Sequence, residues 1–143
     1  MTSDRIVFLD IDGVLAPIKR WDRYGDLDPA CITVLNEIVA ASAADVVVSS
    51  TWRYGKTIAE LQDILDAEGF TGRVVDMTPT HLPHNDRTDE ILTWLADHEV
   101  AGYVVIDDHV VGGPLRAHLV LTEPWRGLQP PDVARALAAL ALG

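Results

Sequence analysis

Arg5-Ile6-Val7-Phe8-Leu9-Asp10-Ile11-Asp12-Gly13-Val14-Leu15 is the stretch that decides the fold. From Ile6 to Leu9, and again at Ile11, it is apolar. Such a run predicts a strand in the middle of a parallel sheet, covered on both faces. It ends in two carboxylates one residue apart, Asp10 and Asp12, followed by Gly13. Like charges at the exit of a central strand are unfavourable unless a cation or a substrate uses them. Asp and Gly are also ordinary turn residues, so the triplet alone leaves both readings open. A calcium loop of the EF-hand type is excluded, because Ala16 and Ile18 replace later oxygen donors and position 21 is not Glu.

Outward from this strand the chain alternates between helical and extended patterns. Asp28-Pro29 predicts a helix start, with Asp as cap and Pro in the first turn. The helix runs to about Ala41 and buries Cys31, Leu35, Ile38 and Val39. Asp45 to Ser50 reads as a second strand, and Lys56 to Ala67 as a helix with Ile58, Leu61 and Leu65 inward, ended by Glu68-Gly69. Val74-Val75 marks a short third strand, and Asp76 to Asp86 a loop containing Pro79, Pro83, His81 and His84. Thr88 to His98 predicts a helix with Ile91, Trp94 and Leu95 facing the core. Tyr103 to Asp107 and His118 to Leu121 give the last strands, and Pro130-Pro131-Asp132 opens a final helix burying Val133, Leu137 and Leu140. This alternation specifies an α/β fold with a parallel sheet, whose ligands bind at the carboxyl ends of the strands. The candidate functional residues all fall at or just past such ends.

The length of 143 residues fits one domain, read here as 1–143 with a flap at about 13–28. A net charge of −11 argues against salt-driven binding of duplex nucleic acid, although a nucleotide can still be held locally. The lone Cys31 cannot form an internal disulfide, which points to a reducing cytoplasm. No apolar run approaches a membrane span or signal peptide, so neither membrane nor export is expected.

Three further stretches complete a pattern: Val46-Val47-Val48-Ser49, then Arg87 ahead of Glu90-Ile91-Leu92, then Tyr103-Val104-Val105-Ile106-Asp107-Asp108. With the opening strand they make residues 5 to about 128 resemble the haloacid dehalogenase-like (HAD) hydrolase superfamily, in its phosphatase branch. The resemblance implies a Rossmann-like, five-stranded sheet of order 5-4-1-2-3 with helices on both faces. With only about a dozen residues in the flap, it implies no cap domain and an open site.

In the chemistry the resemblance implies, Asp10 is the nucleophile, forming an aspartyl-phosphate, and Asp12 is the general acid and base. Mg²⁺ is the expected cation, held by the Asp10 carboxylate, the Asp12 carbonyl and Asp107, with Asp108 close behind. Ser49 is expected to bond a phosphoryl oxygen, with Ser50 the alternative one residue on. Arg87 is expected to stabilise phosphoryl charge where the family more often has Lys, with Lys56 the alternative. Gly13 allows a tight turn near the phosphate. Trp52 and Arg53, placed on the open side with Trp21 in the flap, read either as a base-stacking and phosphate-clamping pair or as partial core. HAD phosphatase domains of RNA-repair proteins carry a similar Ser-Trp-Arg. The substrate class is thus a phosphorylated small molecule, nucleotide or nucleic-acid end. His81-x-x-His84 lacks further ligands and reads as loop, and His109 as a loop residue near the site. The rival readings are a metal-binding module without useful turnover, or a phosphatase acting only on a polynucleotide or protein partner.

Overall fold

The structure is a computed structural model that describes residues 3–83 and 86–142. Its five parallel strands are β1 (Arg5–Leu9), β2 (Asp45–Val48), β3 (Val74–Met77), β4 (Gly102–Asp107) and β5 (Leu119–Leu121), in the order β3-β2-β1-β4-β5. That is the expected order read from the opposite edge. Helices α1 (Pro29–Ser42), α2 (Ile58–Asp66), α3 (Arg87–Ala96) and α4 (Asp132–Leu140) form the crossovers and the closing element.

Alternation along β1 divides the core. Val7 and Leu9 join Ile32, Leu35, Leu61 and Leu140 on the face covered by α1, α2 and α4. Ile6 and Phe8 pack on the other face with Ile91, Trp94 and Leu115. There the Phe8 and Trp94 rings meet edge to face, 5.4 Å apart. A strand buried on both faces must be apolar throughout, which is why β1 lacks a polar/apolar alternation.

Several boundaries differ from the sequence reading. β3 continues through Asp76, which the reading gave to a loop; the carboxylate accepts the Trp94 indole N–H at 2.7 Å, so an edge strand can hold it. β2 ends at Val48, because Ser50 already caps a 3-10 turn over Thr51–Arg53. α2 begins after a Thr57/Glu60 capping box instead of at Lys56, and α3 begins at Arg87 behind the Asp86 cap. A 3-10 segment, Gly113–His118, had no sequence signal. In α4 the buried apolar residues are Ala136, Ala139 and Leu140, while Val133 and Leu137 sit at the margin. Among the described residues no helix is long and apolar enough to cross a membrane.

Gly102 opens β4 against the end of α4, where an added Cβ would lie 2.0 Å from the Leu140 carbonyl oxygen. Gly102→Ala should destabilise by about 1–3 kcal/mol and lower Tm by roughly 3–10 °C in a thermal melt. An unchanged melt would contradict this packing.

Candidate active site

β1 lies between β2 and β4, with Leu9 level with Val48 on one side and Ile106 on the other. The next residue of each strand therefore stands in a row: Ser49, Asp10, Asp107. The Ser49 amide bonds the Leu9 carbonyl at 3.0 Å, and the Asp10 amide bonds that of Ile106 at 3.0 Å. Ligand atoms of Asp10, Asp107, Asp108 and His109 all lie within 4.8 Å of one another. Asp10 and Asp107 are buried, at 4% and 0% exposure.

Arg87, the first residue of α3, reaches into this cluster. Its guanidinium hydrogen-bonds Asp107 and stands 3.5 Å from Asp10 Oδ1. Burial pushes the Asp10 carboxyl up to about 8; Asp107 adds to the shift, Arg87 opposes it, and Asp108 adds more. Burial works against the Arg87 cation, but Asp107 and Asp10 raise its pKa. One cation facing three carboxylates leaves the cluster short of positive charge. An oxygen-rich, electron-rich site, in which carboxylate oxygens of Asp10, Asp107 and Asp108 converge with the His109 ring, has the donor chemistry of a divalent metal.

Ser49 and Ser50 are both fully buried but differ in occupation. Ser50 Oγ accepts the Trp52 amide as a cap, at 3.2 Å, whereas Ser49 Oγ has no partner. Asp12 lies outside the ligand cluster, half-buried at the root of the flap. Its pKa is raised by burial and by Asp108, against a hydrogen bond from the Trp52 side chain. Gly13 has φ +79°, and a Cβ there would sit 2.3 Å from Asp108 Oδ2, so only glycine lets the turn pass the acidic pair. Its N–H is committed to the Ala16 carbonyl at 2.9 Å.

Arg53 corrects the expectation of an open-side clamp. It is 1% exposed and faces inward. Its guanidinium donates to the carbonyls of Ser49, Ser50, Thr78 and Pro79, and to Glu90 Oε2 at 2.7 Å. All its donor directions are taken, and it braces the Ser49 loop against α3 three residues beyond Arg87. Trp52 is half-buried, packing on the core while contacting Asp12. No ion pair joins Lys56 to the cluster among the described residues. His81 is exposed, and His84 lies outside the described residues. His109 is an exposed loop residue beside the site, as expected: its amide bonds Asp107 Oδ1 at 3.0 Å and its Nδ1 is 2.8 Å from Asp108 Oδ1. Adjacency to the acidic pair was its only signal. Glu90 had none, being one acid in a helix whose inward face otherwise reads apolar. Thr122, whose Oγ1 bonds the Gly13 carbonyl at 2.7 Å, had none either.

The parallel sheet order and the acidic strand ends define a HAD-like hydrolase fold. Residues 6–133 match the family described as the HAD domain in Swiss Army Knife RNA repair proteins, and the chain belongs to that family. No curated protein and no solved structure matches it.

Arg53→Met should cost about 3–5 kcal/mol in chemical denaturation, since Glu90 is left as a buried unpaired charge. The Arg53→Met/Glu90→Leu double variant should not regain wild-type stability, because the carbonyls of Ser49, Thr78 and Pro79 would still lack the guanidinium donor. Full recovery would reduce the brace to a simple ion pair. A second prediction concerns the metal. A raised Asp10 carboxyl must lose its proton to become a ligand, so divalent-cation affinity should rise as pH increases toward about 8. Titration calorimetry in buffers of different ionisation enthalpy should detect proton release on binding, and pH-independent affinity would contradict the assignment of Asp10 as a ligand.

Proposed function

We propose that the protein is a Mg²⁺-dependent phosphomonoesterase working through an aspartyl-phosphate. The observation that carries this reading is the Ser49–Asp10–Asp107 row across three adjacent strand ends, with Arg87 contacting both carboxylates. Asp10 attacks phosphorus and the bond to the leaving oxygen breaks, while the Asp12 carboxyl gives that oxygen its proton. Asp12, now a carboxylate, takes a proton from water as the water oxygen attacks the phosphorus of the intermediate. Phosphate departs and Asp10 is restored. The raised Asp12 pKa suits a group that must begin the cycle protonated. The unpartnered Ser49 hydroxyl is free to bond a phosphoryl oxygen, and Arg87 to neutralise charge that builds on the phosphoryl group. Asp10, Asp107, Asp108 and the Asp12 carbonyl would hold the ion, which supplies charge that keeps Asp10 ionised beside its acidic neighbours.

The family's description in RNA repair, together with the short flap, favours the phosphorylated end of an RNA strand as substrate. Hydrolysis of p-nitrophenyl phosphate with and without Mg²⁺ tests the chemistry. Asp10→Asn should abolish turnover, and Arg87→Ala should lower kcat by about 10²–10³-fold. Metal-independent turnover, or an Asp10→Asn variant that still works, would sink the mechanism.

A further inference from the structure

The flap and the loop after β5 form one surface that the reaction above does not use. The Ile18 amide bonds the Pro124 carbonyl at 2.8 Å, and Lys19 Nζ bonds that of Trp125 at 2.7 Å. The Leu128 amide ties back to Val14 at 2.8 Å. Both segments leave the carboxyl end of the sheet beside the acidic row: the flap starts at Gly13, and Thr122 anchors the second loop to the Gly13 carbonyl.

This joined surface carries three of the four exposed aromatic side chains among the described residues: Trp21 at 98%, Tyr24 at 73% and Trp125 at 57%. A fully solvated indole contributes nothing to the core, and three aromatics on two tethered loops make an exposed patch that asks for a partner. Cations are interleaved with them. Lys19, Arg20, Arg23 and Arg126 stand against Asp22, Asp26, Asp28 and Glu123, so the two segments are charge-balanced within a chain of net charge −11. The whole excess of negative charge therefore lies elsewhere. Arg20 is paired with Asp22 at 2.9 Å, while Arg23 and Arg126 enter no ion pair among the described residues. A cleft of ≈ 330 Å³ opens within the flap, lined by Lys19, Arg20, Arg23 and Tyr24 with Asp26 and Asp28.

We infer that Trp21, Tyr24 and Trp125, with Lys19, Arg23 and Arg126 among them, form a stacking platform for a single-stranded polynucleotide whose phosphorylated end enters the acidic row. The inference rests on the proposed phosphatase reading for what happens at that end, but not for the binding itself. Base faces stack on aromatic rings whatever their sequence, and spaced cations follow the backbone phosphates. A duplex presents no free base face to the rings and brings a denser polyanion toward a strongly acidic protein. An apolar peptide would have to bury the interleaved charges without partners.

The test uses the full chain carrying Asp10→Asn, which binds without turning over, and a labelled single-stranded RNA of about ten nucleotides. Binding read by anisotropy should quench tryptophan fluorescence. It should weaken by about tenfold in Trp21→Ala and further in Trp21→Ala/Trp125→Ala, and duplex RNA of equal length should bind more weakly than the single strand. With Lys19, Arg23 and Arg126 in no ion pair among the described residues, log K should fall with log salt at a slope of about −2. Trp21 is so exposed that its removal cannot unfold the chain, and a thermal melt checks this. Equal RNA affinity in wild-type and aromatic variants, or equal affinity for duplex, would overturn the platform. RNA binding by a wild type that releases phosphate neither from p-nitrophenyl phosphate nor from phosphorylated RNA ends would instead overturn the phosphatase reading and leave the platform standing. Hydrolysis without RNA binding would do the reverse.

Discussion

Everything at the carboxyl end of this sheet depends on holding three carboxylates together with one cation. Parallel pairing of β1 with β4 sets Asp10 beside Asp107, and the chain delivers Asp108 immediately after. Burial at 4% and 0% exposure removes the water that would otherwise screen Asp10 and Asp107. Arg87 answers part of the repulsion, and a proton on Asp10 answers the rest when no metal is present. A fold that only needed stability would replace such a cluster with apolar side chains. Its presence at the strand ends fits a site that holds a metal ion.

That cluster needs its cation in a fixed place, and Arg53 supplies the fixing. One buried guanidinium joins the loop behind Ser49, the loop after β3 and α3 through five hydrogen bonds. Glu90 is three residues from Arg87 on the same helix, so the ion pair that anchors Glu90 also limits how Arg87 can shift. Capping extends the same logic. Asp86 starts α3 at Arg87, and Ser50 takes the cap of the 3-10 turn, which leaves Ser49 as the uncommitted hydroxyl. Of the neighbouring serines, one hydroxyl is thus committed to the turn and the other is left without a partner.

The alternation of strands and helices and the carboxylates at strand exits were legible because each rests on a strong local signal, apolar runs and caps among them. The sheet order came only from the family resemblance that those motifs carry. What could not be read was direction. Ser-Trp-Arg after β2 has the composition of a recognition loop, yet the 3-10 turn rotates Arg53 into the core and leaves Trp52 against Asp12. Periodicity over three residues does not decide which way a side chain turns. Glu90 was hidden for a related reason, since its place on the inward face makes sense only once Arg53 is known to be there. Asp76 was assigned to a loop from its polarity, and the Trp94 indole that satisfies it lies eighteen residues away.

Asp10 and Asp12 are two residues apart and both have a pKa raised chiefly by burial, with Asp108 adding to each, but their other neighbours differ. Asp10 sits inside the ligand cluster, in direct reach of Arg87 and of any ion held there. The Asp12 carboxyl stands outside that cluster, against Trp52 and at the root of the flap. Positive charge brought into the cluster acts on Asp10 at contact distance and on the Asp12 carboxyl from farther away, so it pulls the two acidities apart. Such a separation is what the proposed mechanism requires: an ionised carboxylate beside a carboxyl that keeps its proton. The strand ends at Leu9 and the chain turns at Ile11, whose carbonyl accepts the Val14, Leu15 and Ala16 amides, and this turn is what sets the two carboxyls at unequal depth.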